Sequence, residues 1–158
     1  MPLKIGGKII SGPKTTLLVV PREDGDIAFR FIAVTDDSTF DQVYPRPKPP
    51  RSMKVGVGII EKTDDPGYIN ALEKREASRT DWFFLESIKP SAVEWATVDY
   101  KNPETWKNWR QDLKDAGFSV PEVNLIFNAF IEANMLTDDM LKEARERFLA
   151  SRVEAPPG

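Results

Sequence analysis

Four prolines in six residues, Pro45, Pro47, Pro49 and Pro50, bar any helix or central strand from crossing residues 45–50. Proline fixes φ, removes the backbone donor and favours an extended polyproline geometry. The stretch Tyr44-Pro45-Arg46-Pro47-Lys48-Pro49-Pro50 therefore reads as a stiff connector. Arg46-Pro47-Lys48-Pro49-Pro50 also has the superficial form of a ligand for a proline-recognition domain, and the linker is the simpler reading. The segments on either side of the run must build their own secondary structure, and they differ in pattern.

Before the run the period is two. Ile9-Ile10, Thr15 to Val20 and Ile27 to Val34 read as strands, separated by Gly12-Pro13 and by Arg22-Glu23-Asp24-Gly25-Asp26. Asp24-Gly25 suits a hairpin turn because glycine accepts positive φ, and Ile27, Phe29 and Phe31 alternate with Ala28, Arg30 and Ile32, which predicts one buried aromatic face. Asp36 to Tyr44 predicts a short helix capped by Asp36 or Asp37, with Phe40 and Val43 facing inward. Beyond the prolines, Met53, Val55, Val57 and Ile59 alternate with Lys54, Gly56, Gly58 and Ile60, which predicts one more strand beside the N-terminal hairpin.

After residue 62 the period changes to that of helices. Asp64 or Asp65 caps a helix with Pro66 in its first turn, running to about Ile88 before Lys89-Pro90 stops it. Tyr68, Leu72, Arg75, Arg79 and Trp82-Phe83 trace one face, and Glu73-Lys74-Arg75-Glu76 makes a charge-rich exposed side. Ala92 to Val98 is a loop or short strand. Three helices follow: one capped by Asn102-Pro103 with Trp106, Trp109 and Leu113 inward and Gly117 ending it; one opened by the capping box Ser119-Val120-Pro121-Glu122; and one capped by Thr137 or Asp138. The expected fold class is α+β, an N-terminal antiparallel β hairpin or small sheet followed by a C-terminal bundle of about four helices. The expected regions are a β-rich 1–62 containing the connector at 45–50, a helical 63–151 and a flexible tail at 152–158.

Composition narrows the function. With 158 residues and 41% apolar content the chain can line a sizeable core, burying roughly 70% of the surface its unfolded form exposes. A net charge of −3, mixed along the sequence, gives no broad positive field for a phosphate backbone, so no nucleic-acid partner is expected. The longest apolar stretches, Thr16 to Val20 and Val55 to Ile60, are far short of the ~20 residues that span a bilayer, and Met1 to Gly7 lacks the pattern of a secretory signal. The expectation is a cytoplasmic protein without membrane partners. The chain has no cysteine and no histidine, which removes disulfides, thiolate nucleophiles, imidazole bases and the usual transition-metal ligands. Carboxylate or serine–lysine chemistry stays open, yet the expectation is a protein that is not an enzyme and uses no cofactor.

The acidic pairs Asp36-Asp37, Asp64-Asp65 and Asp138-Asp139 have oxygen ligands suited to magnesium or calcium, but each precedes a predicted helix, where capping and the helix dipole account for it, so no metal site is expected. No phosphate-binding glycine loop is present, and Ser11, Ser38, Ser52 and Ser78 lie in no nucleophile motif. The strongest functional feature is an apolar helical face, Val123, Ile126, Phe127, Phe130 and Ile131, continued by Leu141, Ala144, Phe148 and Leu149. Internal packing is one reading. The other is a groove for a partner helix or a homo-oligomer seam, which makes Val123, Ile126, Phe127, Phe130, Leu141 and Phe148 the candidate partner-binding residues.

From Trp95 onward, and especially at Gly117-Phe118-Ser119, Glu122-Val123-Asn124, Ala133-Asn134-x-Leu136 and Glu143-Ala144-Arg145-x-x-Phe148-Leu149, the chain resembles the C-terminal half of small tail assembly chaperones of long-tailed bacteriophages. Asp65-Pro66-x-Tyr68 and Pro47-Lys48-Pro49-Pro50 are similar to that group as well, so the resemblance covers about residues 45–150. It implies a protein of the infected bacterial cytoplasm that holds the long tape-measure protein soluble while tail-tube subunits polymerise around it, and then leaves. A structural tail or head–tail connector subunit of the virion, or a phage protein directed at a host defence protein, are the alternatives. The strand-rich Leu3 to Val34 does not map onto a helical chaperone, and no residue role is carried over individually.

Overall fold

The computed structural model describes residues 2–135 and 138–154. Six strands pair in three separate antiparallel hairpins: β1 (Leu3–Ile5) with β2 (Lys8–Ile10), β3 (Thr15–Val20) with β4 (Ile27–Ile32), and β5 (Arg51–Lys54) with β6 (Gly58–Glu61). Between the second and third lies α1 (Ser38–Val43), and after them come α2 (Pro66–Ser87), α3 (Trp109–Asp115), α4 (Val120–Asn134) and α5 (Asp138–Glu154), with 3₁₀ turns at Lys89–Ser91 and Pro103–Asn108. The architecture is α+β.

The middle hairpin forms as its sequence dictates. Gly25 takes φ +124° and its N–H donates to Arg22 O at 3.2 Å, closing the turn, and the register sets Thr16 opposite Phe31 and Leu18 opposite Phe29. The period-two pattern then puts Phe29 and Phe31, with Val20, on the buried face. That face packs on α4 and α2, where Phe31 meets Phe84 and Phe29 meets Phe118 edge-on at 5.5 Å. The centre of the core is aromatic: Phe84 of α2 stacks on Trp109 at 3.8 Å, and Phe40, Trp82 and Trp106 close one end. Strands from before the prolines and helices from after them thus share one interior.

The third hairpin differs from expectation. Met53 to Ile60 is not one strand beside the N-terminal hairpin; it reverses on itself, with Gly56 at φ +84° and Gly58 at φ +96°. The glycines that suggested close approach supply the left-handed backbone of a turn instead. Helix α2 starts where Asp65 Oδ2 accepts from Tyr68 N, and it buries Arg75, which is only 2% exposed and not part of a solvent-facing charged side. Its guanidinium lies over the Phe40 ring, with Nε donating to Tyr44 O and Nη2 to Asp41. The helix expected from Asn102 is tighter than foreseen, a 3₁₀ turn that leads into α3, although Trp106, Trp109 and Leu113 are all buried. Gly117 at φ +104° ends α3, and the Ser119–Glu122 capping box opens α4. Ala92 to Val98 is loop. Helix α5 continues to Glu154, into the span expected to be tail; residues 155–158, and the cap expected at Thr137, lie outside the described residues.

The outer edge of β4 is sealed by side chains. Ser91 Oγ accepts from Arg30 N at 2.7 Å and donates to Arg30 O at 2.9 Å, Ser87 Oγ donates to Ile32 O, and Asn134 Oδ1 accepts from Val34 N. Covered edges resist unintended strand pairing.

Candidate interaction surfaces

The six residues singled out from sequence divide into two groups. Val123, Ile126 and Phe130 are buried where α4 meets the β3–β4 hairpin and α2, and Phe127 is partly buried, its ring stacked on Trp109 at 6.0 Å beneath the Arg110 guanidinium. These four belong to the interior. The hairpin's aromatic side and the apolar face of α4 are two halves of one contact, a pairing that either face alone could not reveal. Leu141 and Phe148 are in the opposite condition, 49% and 60% exposed on α5.

Helix α5 carries Leu141, Phe148 and Leu149 outward, and among the described residues no other element packs extensively against it. Its first turn is acidic, with Asp138 and Asp139, and its last turn holds Arg152, whose guanidinium stands 5.6 Å from the Phe148 ring. Both charge placements favour the helix dipole.

Two further appendages share this character. The β1–β2 hairpin exposes Leu3, Ile5, Ile9 and Ile10, and the β5–β6 hairpin exposes Met53, Val55, Val57 and Ile59, with Val55 97% exposed. Among the described residues neither arm packs extensively on another element. Lys62 N donates to Pro50 O at 2.7 Å, so the β5–β6 arm leaves and rejoins the body at one point. An isolated two-stranded hairpin is marginal in water, and apolar residues grouped on one gain most when something covers them. Sequence reasoning treated these strands as parts of a sheet. Gly6-Gly7 and Gly56-x-Gly58, each within a short apolar run, were the signal that the two runs turn back on themselves instead.

Polar chemistry is structural in character. Glu122 accepts a two-pronged contact from Arg22, at 2.5 and 3.1 Å, and the Ser119 N–H at 2.9 Å; the Arg22 hydrogen bond, helped by the cap, holds its carboxyl well below the usual range, down to about 2. Burial pushes the Asp81 carboxyl up, against the opposing Trp109 Nε1 hydrogen bond. Asp112 accepts from Thr97 N and Oγ1, pinning the loop before the 3₁₀ turn. Of the acidic pairs, Asp36 Oδ1 accepts from Ser38 N, Asp65 caps α2, Asp37 pairs with Arg79 and Asp138 opens α5. Among the described residues no three His, Cys, Asp or Glu side chains converge as a metal-binding group, and no helix is long and apolar enough to cross a membrane. A shallow groove of about 350 Å³ between α2 and α4 is lined by Phe83, Phe130, Ile131 and Met135 with Arg79 and Asn134 at its margin.

No protein-family model, curated protein or solved structure matches the chain.

Proposed function

We propose that this chain is a non-catalytic assembly factor, a phage tail assembly chaperone that engages the tape-measure protein or tail-tube subunits through its appendages. The observation that carries the reading is the distribution of large exposed apolar side chains, most of which lie on α5 and on the β1–β2 and β5–β6 hairpins while the aromatic core is closed without them. A chaperone must hold apolar client segments and release them. Several small apolar faces, each contributing about 25 cal/mol per Å² covered, suit reversible contact better than one deep pocket. The client contact lies on Leu141, Phe148 and Leu149 and on the arms, and the α4 residues support it from inside.

The test is an affinity pull-down with the tagged chain expressed during infection by the phage that encodes it. The native sequence is expected to recover the tape-measure or tail-tube protein, and a variant carrying Leu141→Ser, Phe148→Ser and Leu149→Ser is expected to lose it without a change in melting. Recovery of a host protein alone sinks the reading and favours interference with host defence. A second reading, a subunit that stays in the virion, draws on the two hairpin arms, whose uncovered apolar residues equally suit a permanent interface. Mass spectrometry of purified virions separates the two, because a departed chaperone is missing from the particle and a structural subunit is stoichiometric.

A further inference from the structure

We infer that two copies of this chain join edge to edge through β3, forming a continuous four-stranded antiparallel sheet about a two-fold axis at Leu17. In the β3–β4 ladder the Ala33 N–H donates to Lys14 O, so the hydrogen-bonded pairs are Lys14 with Ala33, Thr16 with Phe31, Leu18 with Phe29 and Val20 with Ile27. The N–H and C=O groups of Thr15, Leu17 and Val19 point the other way. Among the described residues nothing hydrogen-bonds to them, whereas on the opposite edge Ser91 meets the Arg30 N–H and C=O, Ser87 meets the Ile32 C=O and Asn134 meets the Val34 N–H just past β4. One edge of the hairpin is closed by side chains and the other is open.

The open edge is built to meet itself. Thr15-Thr16-Leu17-Leu18-Val19-Val20 has no charge to repel a copy, and its bulky, β-branched residues favour strand pairing. Pro13 and Pro21, neither of which has an N–H to donate, lie four residues either side of Leu17. Antiparallel pairing centred on Leu17 sets Leu17 against Leu17, Thr15 against Val19 and Pro13 against Pro21, so the residues without donors face each other and the three donor-bearing residues between them pair. The exposed Leu17 and Val19 side chains of both copies then adjoin on one face.

Charge selects the same arrangement. Up to Val20 the chain carries Lys4, Lys8 and Lys14 and no carboxylate, whereas the turn at the far end of β3 carries Glu23, Asp24 and Asp26. Among the described residues Lys4, Lys8, Glu23, Asp24 and Asp26 take part in no ion pair. An antiparallel partner brings the acidic turn of each copy to the basic entry of the other; a parallel partner sets like against like.

Sedimentation of the full chain across a wide concentration range tests this, together with amide exchange at Leu17 and Val19. A dimer is expected whose dissociation constant rises with salt and rises at least about tenfold for Leu17→Lys, which sets two like charges on the axis at an exposed position. The Leu17 and Val19 amides are expected to exchange more slowly as concentration rises. Lys4→Glu with Lys8→Glu is expected to weaken the dimer, and adding Asp24→Lys with Asp26→Lys in the same chain to restore it, a readout that survives if Leu17→Lys fails to fold. A monomer at every concentration overturns the inference. So does a dimer indifferent both to Leu17→Lys and to the charge reversals, a result that points to α5 as the seam. The tape-measure pull-down is independent of either result.

Discussion

Phe84 and Phe148 are the same side chain in opposite circumstances. Phe84 is fully buried, stacked on Trp109 and touched by Phe31, Phe127 and Phe130, and Phe148 is 60% exposed on a helix that the body leaves uncovered. The first reports a body that is finished: hairpin, α2, α3 and α4 fill each other's apolar faces. The second reports appendages whose large apolar side chains stay exposed among the described residues. If the proposed client contact lies on the appendages, folding and binding fall to different residues and can be perturbed separately.

The sharpest way to break this division is to empty the centre. Phe84→Ala is expected to lower stability by about 4 kcal/mol in chemical denaturation, with Phe130→Ala close behind, because both leave cavities in a packed aromatic cluster. If Phe130→Ala instead leaves melting unchanged while abolishing client binding, α4 is a surface after all and the division fails. Asp41→Asn is expected to cost about 2 kcal/mol, since it removes the charged hydrogen-bond partner of a guanidinium that is itself only 2% exposed.

The Arg22–Glu122 contact predicts a pH signature of the body. A carboxyl held at about 2, below its ordinary 4.5, stabilises the folded state fully above that ordinary value and loses the contribution as pH falls toward 2. The melting temperature of the native chain should drop over that window, and the drop should be shallower in Glu122→Gln. Smallest of all, replacing residues 51–61 by a short glycine link, or making Phe148→Ser, is expected to change stability by no more than about 0.5 kcal/mol, because neither site supports the core. A large loss on excising the arm would show that it belongs to the body.

Much of the body was legible in the sequence because it is written in local signals. The Ser119–Glu122 box, Asp65 before Pro66, Gly117 and the Asp24-Gly25 turn each act within a few residues, and all four stand where they were expected. The α+β order followed from the change of period after residue 62. What could not be read was pairing across distance. The α4 stripe could be read either as core or as interface because its cover, Phe29 and Phe31, lies about a hundred residues away. Arg75 looked like a solvated charge because its partners, the Tyr44 carbonyl and Asp41, come from beyond the proline run. Leu141 and Phe148 were singled out for the same stripe, and periodicity gave no means of separating them from residues that are buried.

Asn134 has a mechanical consequence. Its amide nitrogen donates to Ser87 Oγ and to Phe130 O while its amide oxygen accepts from Val34 N, so one side chain fastens the end of α4 to α2 and to the coil that follows β4. It is also the last residue of α4, just before the chain departs toward α5. Freeing the end of α4 therefore means breaking its ties to α2 and to the chain after β4 together, so that end cannot fray one bond at a time.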